Sequence, residues 1–495
     1  MFPNTLKPFL RYDFMKKYAL ALALVVSCFI VHPQDAIKNY DEALTLIEVW
    51  LDAQKDFEEI PGMSASIVED QKLLWSGGVG LANPETEKPF TGATLCSICS
   101  ISKLFTSVAI MKLYDEGKLR LDDQLSELLP YFDLKQQFPE SGPITIRTLL
   151  THSSGLPREA GYPYWTGPDF PFPSTEEIND KLSEQESLYP ASTYFQYSNL
   201  ALTLLGEIVT EVSGVPYETY IQENILKPLL LTKTRPEMPE SLYGSDLAIG
   251  YSAVGRDGER EKVAFFQANG IAPAAGFTSN VTDLGKFASW QFRLRESKAA
   301  EILKPATLKY MQSVHWTNPN WKTTWGLGFR VYKGPNGSTW AGHGGSCPGY
   351  RSSFEMDLKN KRAFSVMINS SGTNPMKYVM GMHAILTKMS AKDDGVKPET
   401  AASSTDLSQY VGYYDPKPWS SEEYIGTWNG DLVVLSLPSD KPAEAMTKFR
   451  HIEGDTFRRV RGDGELGETL TFERNASGAI TRYIQHGNYT LRLDR

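Results

Sequence analysis

Ser100-Ile101-Ser102-Lys103 is the only Ser-x-x-Lys in the sequence. On a helix, positions i and i+3 share a face, so the hydroxyl and the amine can meet. Serine is a weak nucleophile until a neighbouring base takes its proton. A lysine is such a base once burial lowers its pKa. A helix N-terminus beneath the serine adds positive potential where an oxyanion would form. Lys103 lies among Ile101, Leu104 and Phe105, where a merely structural lysine is not expected. The chemistry these residues suit is acyl transfer through a serine.

Two further segments supply partners. Tyr197-Ser198-Asn199 precedes an apolar helical stretch starting at Leu200. A tyrosinate or a hydrogen-bonded tyrosine there could share proton transfer with Lys103, and Asn199 could hold the lysine or a substrate carbonyl. Ser and Asn are also common helix caps, which is the alternative reading of this segment. Gly342-His343-Gly344-Gly345 precedes a strand pattern at 352–356. Glycine within a strand often marks a close backbone approach to a ligand; the alternative for His343 is a turn histidine.

Taken in order, these three segments resemble the serine β-lactamase and penicillin-binding-protein superfamily. The resemblance is closest to its class C-like branch, which includes β-lactamases, D-aminopeptidases, DD-carboxypeptidases and family VIII carboxylesterases. Further matches are Gly117-Lys118-Leu119-Arg120-Leu121-Asp122-Asp123, Leu149 to Pro157 (LLTHSSGLP), Ala275-Gly276-Phe277-Thr278-Ser279 and Trp325-Gly326-Leu327-Gly328. The resemblance implies an acylated nucleophile at Ser100, a general base and acid pair in Lys103 and Tyr197, and a positioning role for Asn199. It places His343 where many relatives have the lysine of Lys-Thr-Gly, with Gly345 and Ser346 beside the substrate. The implied oxyanion hole is the backbone N–H of Ser100 and of Ser346. A neutral histidine in place of lysine weakens the case for carboxylate-bearing substrates and favours esters, or amides recognised otherwise. No metal motif such as H-E-x-x-H occurs, and no cofactor is expected.

The elements around these residues read as a layered α+β or α/β domain. Asp41 can cap a helix with Leu44, Ile47 and Leu51 on one face. Residues 63–68 and 73–79 read as a hairpin. Helical spacing recurs over 100–117, 199–212 and 283–296, and strand patterns at 328–332, 352–356 and 364–368. Residues 158–187 interleave Tyr162, Tyr164, Trp165, Phe170 and Phe172 with prolines, which suits a pocket wall or lid and equally a packed surface loop. Lys392–Thr405 reads as a polar linker. Short strand patterns from 406 to 495 suggest a small sandwich or barrel. Tyr410-Val411-Gly412-Tyr413-Tyr414 resembles the opening of the lipocalin-like β-barrel appended to several such hydrolases, where it can shape the site entrance or mediate oligomers.

The domain reading is therefore an export signal at 1–33, a β-lactamase-like domain at 36–391, the linker at 392–405 and a barrel at 406–495. Lys16 and Lys17 before the uncharged run 18–31 carry the signal, too short for a membrane span; Met15 is an alternative start. Val25-Val26-Ser27-Cys28 resembles a bacterial lipobox, so a lipid anchor on Cys28 and a cleaved periplasmic or cell-envelope form both stand. The four cysteines are too few for a disulfide-built scaffold, and Cys96 and Cys99 read as small buried apolar residues. The net charge of −9 over 495 residues disfavours nucleic acid. The expected function is an exported serine hydrolase of small esters or amides. The alternatives are a D-amino-acid peptidase or DD-carboxypeptidase acting on peptidoglycan fragments, and a non-turnover acylatable binding or sensor protein.

Overall fold

The computed structural model describes residues 40–390 and 405–495. The expected leader, with Cys28, and all of the linker but Thr405 lie outside the described residues. Nine antiparallel strands form one sheet, in the order Lys88–Pro89, Lys72–Asn83, Gly62–Glu69, Arg362–Ile368, Tyr350–Asp357, Thr339–Cys347, Arg330–Lys333, Thr324–Trp325, Trp316–Thr317. Every residue of Arg362–Ile368 is buried, which requires cover on both faces of the sheet. Successive side chains alternate between faces. Phe364 meets His383 of helix Pro375–Ser390, with ring centroids 5.8 Å apart. Phe354, opposite Ser365 and so on the other face, meets Phe287 of helix Val281–Glu296 at 5.8 Å.

Two helices lie deeper still. Ser102–Asp115 and Asn199–Ser213 are buried along most of their length, as expected of helices that are apolar nearly all round. Gly117 and Gly214 follow these helices at positive φ, the conformation that ends a helix without a Cβ penalty. The helix Asp41–Phe57 buries Ala43, Leu46, Ile47 and Trp50. Of the expected Leu44–Ile47–Leu51 face, Ile47 and Leu51 are buried and Leu44 is half-buried; the stripe widens toward Trp50, which seats over Gly381 of helix Pro375–Ser390.

Eight strands between Gly412 and Arg492 close into a barrel. Its interior is filled by Tyr410, Tyr414, Phe457, Phe472 and Tyr483 among others, a packed core of the kind small barrels need. The barrel rests on the first helix: Trp50 Nε1 donates to Ser439 O at 2.8 Å, and Ser439 N donates to Gln54 Oε1 at 3.1 Å.

Candidate active site

Ser100 is the middle residue of a 3-10 turn, Cys99–Ile101, that leads directly into helix Ser102–Asp115. Lys103 lies one turn on and is wholly buried. Its Nζ lies 3.2 Å from Ser100 Oγ, 2.7 Å from Asn199 Oδ1 and 2.7 Å from Ala274 O. Burial holds its pKa well below the ordinary lysine value, with Glu159 opposing the shift and Arg158 adding to it. A neutral amine has two N–H groups and one lone pair. In that form the two carbonyl oxygens would accept the N–H groups and leave the lone pair for the Ser100 hydroxyl.

The segment before helix Asn199–Ser213 divides its two expected roles between two residues. Ser198 is the cap, its Oγ accepting from Ala201 N at 2.9 Å. Asn199 is then free to face Lys103. Its Nδ2 donates to Glu159 Oε1 and Oε2 at 3.0 and 2.9 Å, which fixes the amide so that Oδ1 points at the lysine. Glu159 is itself held by the Tyr164 hydroxyl and by Arg158 Nε at 3.0 Å.

Tyr197 hydrogen-bonds Ser100 through its hydroxyl, and burial raises its pKa. Of the two forms expected from sequence, that upward shift favours the hydrogen-bonded phenol over the tyrosinate. Its ring packs on His152 at 4.3 Å between centroids. Ser198 N–H donates to His152 Nδ1 at 3.2 Å, which places the His152 proton on Nε2.

His343 lies within strand Thr339–Cys347, not in a turn. Its Nδ1 is 2.6 Å from Gly344 O, an acceptor only, so Nδ1 carries the proton. Burial lowers its pKa to about 3, and its Nε2 is buried without a hydrogen-bond partner. His343 is therefore neutral and contributes no cation. Gly345 packs so close to the turn before Ser100 that a Cβ there would lie 2.3 Å from Ile98 O. Leu358 N donates to Thr339 O, so by alternation the odd residues of this strand bond to Tyr350–Asp357 and the even ones point away. Ser346 N–H thus points away from that strand. The neighbour on the other side, Arg330–Lys333, ends opposite Gly342, which leaves this N–H to the cleft.

A cleft of about 470 Å³ is lined by Ser100, Tyr197, His343, Gly345 and Ser346, together with Arg158, Arg330 and Arg351. An adjoining one of about 320 Å³ adds Asn199, Glu159 and Trp165. The aromatic loop thus supplies a wall residue in Trp165, while Tyr164 and Phe172 pack inward. Arg330 is neutralised by the buried Glu355. Among the described residues, Arg351 has no carboxylate within ion-pair distance and its Nε is buried without a partner.

One expectation is overturned. Cys99 is not a buried free thiol; it forms a disulfide with Cys347, with Cα atoms 5.8 Å apart. Among the described residues Cys96 alone is a buried free cysteine. The bond spans 248 positions, so spacing within the C-x-x-C gave no sign of it. Glu159, His152 and Arg351 are the site residues that sequence reasoning missed. The available signals were a charged Arg158-Glu159 pair at the head of an apolar loop, and an arginine two residues after Gly349.

The chain matches the family model described as Beta-lactamase over residues 50–387. "Beta-lactamase-like protein 2" of Dictyostelium discoideum is 28% identical over 377 residues, 72% of this chain and 67% of that protein. "Protein flp" of Staphylococcus aureus strain N315 is 32% identical over 199 residues, 40% of this chain and only 39% of its own length. Among solved structures, the octameric penicillin-binding protein homologue from Pyrococcus abyssi superposes with a TM-score of 0.61 at 25% identity, covering 91% of this chain and all of that one. A D-stereospecific amidohydrolase from Streptomyces sp. shares the fold, with a TM-score of 0.57 at 22% identity over 68% of this chain and 97% of that one. With its family model matched across most of its length, the chain belongs to the beta-lactamase family, within the serine β-lactamase/penicillin-binding-protein superfamily of hydrolases.

Proposed function

We propose that the chain is an exported serine hydrolase that cleaves small esters or amides through an acyl-enzyme on Ser100. The observation that carries this reading is the buried Lys103 amine 3.2 Å from Ser100 Oγ, its pKa held well below the ordinary lysine value by burial. Ser100 Oγ attacks the substrate carbonyl carbon as its proton passes to Lys103 Nζ. The carbonyl oxygen becomes an oxyanion between the backbone N–H groups of Ser100 and Ser346. Collapse expels the alcohol or amine, which takes a proton from the Tyr197 hydroxyl as Tyr197 is reprotonated from the Lys103 ammonium. Water then attacks the acyl-enzyme, giving its proton to the neutral Lys103, and the second collapse returns Ser100 and releases the acid. Asn199, oriented by Glu159, holds Lys103 throughout. A fluorophosphonate that adds to Ser100, located by peptide mass spectrometry, supports this reading; a protein left unlabelled, or labelled elsewhere, defeats it.

A second reading, a peptidase for D-amino-acid peptides with a free carboxylate, is favoured by one observation. Arg351 lines the cleft without a counter-ion among the described residues and faces Ser346 across the hairpin, where it could take the charge that neutral His343 cannot. Export rests on the leader pattern, and a mature N-terminus at Cys28 carrying diacylglycerol would make it a lipoprotein. The octameric homologue supports assembly into oligomers, and the barrel, which exposes Trp419, Tyr489 and Leu491, is the surface we assign to it.

A further inference from the structure

The Cys99–Cys347 bond joins the residue immediately before Ser100 to the residue immediately after Ser346. Those two neighbours are the backbone donors assigned to the oxyanion. We propose that this disulfide is a positioning device that holds the Ser100 turn and the Ser346 strand at the spacing the oxyanion needs, and that turnover depends on its being oxidised. The proposal rests on the reading of Ser100 as nucleophile.

Three observations support a catalytic rather than a general structural role. First, Cys99 is a non-glycine residue at positive φ, +50°, a conformation that the surroundings must impose. It sits one bond from the Ser100 N–H, so releasing it lets that N–H turn. Second, among the described residues the other polar ties beside the turn stop short of Ser100 and Ser346 themselves. Gly345 rests against Ile98 O and Ser97 Oγ lies 3.3 Å from Cys347 Sγ, while Ser352 Oγ, on the neighbouring strand Tyr350–Asp357, donates to Ile98 O at 3.1 Å. All three involve residues before Cys99, and among the described residues no strand pairs with the open side beyond Gly342. Third, the turn and the strand otherwise belong to different layers, and the only covalent path between them is the 248-residue separation. Within a folded domain that path does nothing to set a local distance.

The consequence is a link between activity and surroundings. A dithiol such as dithiothreitol delivers two electrons and two protons to the bond, giving two cysteine thiols and its own cyclic disulfide. Cys347 lines the cleft wall, so small reductants have a route to it. The hydrolase would then be slow where thiols are kept reduced and fully active in an oxidising compartment.

The test compares the oxidised protein, the same protein reduced with dithiothreitol, and a Cys99→Ser/Cys347→Ser variant, with p-nitrophenyl acetate as substrate. Iodoacetamide mapping reports that Cys99 and Cys347 are free, and far-ultraviolet circular dichroism reports that the fold is kept. The expected result is a kcat about tenfold or more lower in both thiol forms, with KM changed by less than about threefold. That split marks lost transition-state contacts, not lost substrate binding. The burst of p-nitrophenol should slow by the same factor. A kcat within twofold of the oxidised protein overturns the proposal, as does peptide mapping that finds both cysteines free in protein purified from an oxidising compartment. If the oxidised protein shows no hydrolysis that depends on Ser100, it is the acyl-enzyme reading that has failed.

Discussion

Gly345→Ala is the sharpest perturbation of the cleft. An ideal Cβ at this position lies 2.1 Å from Ser352 Oγ, 2.3 Å from Ile98 O and 3.2 Å from Ile98 C. The Ser352 hydroxyl can rotate away, at the loss of its bond to Ile98 O, which costs about 1 kcal/mol. The Ile98 carbonyl belongs to the backbone two residues before Ser100 and cannot rotate. A carbon–oxygen contact needs roughly 1 Å more room than is present, by ordinary van der Waals spacing. The Ser346 strand and the Ser100 turn must therefore separate by about that much. A misplacement of about 1 Å costs on the order of 10²-fold in rate, in line with the loss of one oxyanion donor. Overpacking costs about 1–3 kcal/mol of stability. The expectation is a kcat for p-nitrophenyl acetate lower by about 10²-fold, KM nearly constant, and a Tm lower by several degrees. Gly344→Ala is the control, because its Cβ would find only Ser352 O at 3.7 Å, an ordinary contact. A Gly345→Ala enzyme within twofold of the parent, or a Gly344→Ala enzyme equally impaired, would refute the close-approach argument.

Replacing Lys103 with Met, which keeps its bulk, should lower kcat by about 10³-fold or more, with the fold intact by circular dichroism. In the parent, kcat/KM should rise with pH as Lys103 loses its proton, and burial places that limb below the ordinary lysine value of 10.5; an identical limb in the Met variant would remove Lys103 from the mechanism. Glu159→Gln removes the charge that raises the Lys103 pKa, so the same limb should move to lower pH; an upward shift would contradict the assignment. His343 titrates at about 3 when folded against 6.5 for an ordinary histidine. Between these values the unfolded chain binds a proton that the folded one does not, so His343 contributes stability that is full above 6.5 and lost as pH falls toward 3. Urea midpoints should fall less steeply with acid in His343→Gln, and equal slopes would contradict this. Arg351→Ala should lower hydrolysis of p-nitrophenyl hemisuccinate relative to the acetate by about 10-fold, the value of a lost charge-assisted bond; an unchanged ratio would count against the carboxylate reading.

Much of the catalytic group was legible because its chemistry is local. Ser100 and Lys103 are one helical turn apart, and helical spacing alone brings them to one face. The burial that raises the Tyr197 pKa was not legible, because it comes in part from His152 and Trp325, which lie 45 residues before and 128 after it. For His343 the sequence left a turn as the alternative to a strand, because three glycines surround it. Those glycines are in a strand, and the close approach that demands Gly345 comes from Ile98, on another element. Glu159 acts through Asn199, so no motif around Lys103 contains it. The disulfide was hidden for the same reason: a C-x-x-C draws attention to its own pair, whereas Cys99 bonds to a residue of a distant strand. The barrel's period-two pattern was readable, but the strands Gly412–Asp415 and Met446–Glu453 were missed. The first is short, and the second carries charged residues along its exposed end.

The most direct test of the central claim is p-nitrophenyl acetate and butyrate hydrolysis by the mature protein beside its Ser100→Ala variant. Turnover in the parent with loss of at least about 10³-fold in the variant is the result predicted for an acyl-enzyme on Ser100. Turnover that survives in the variant would place the chemistry elsewhere and contradict the account.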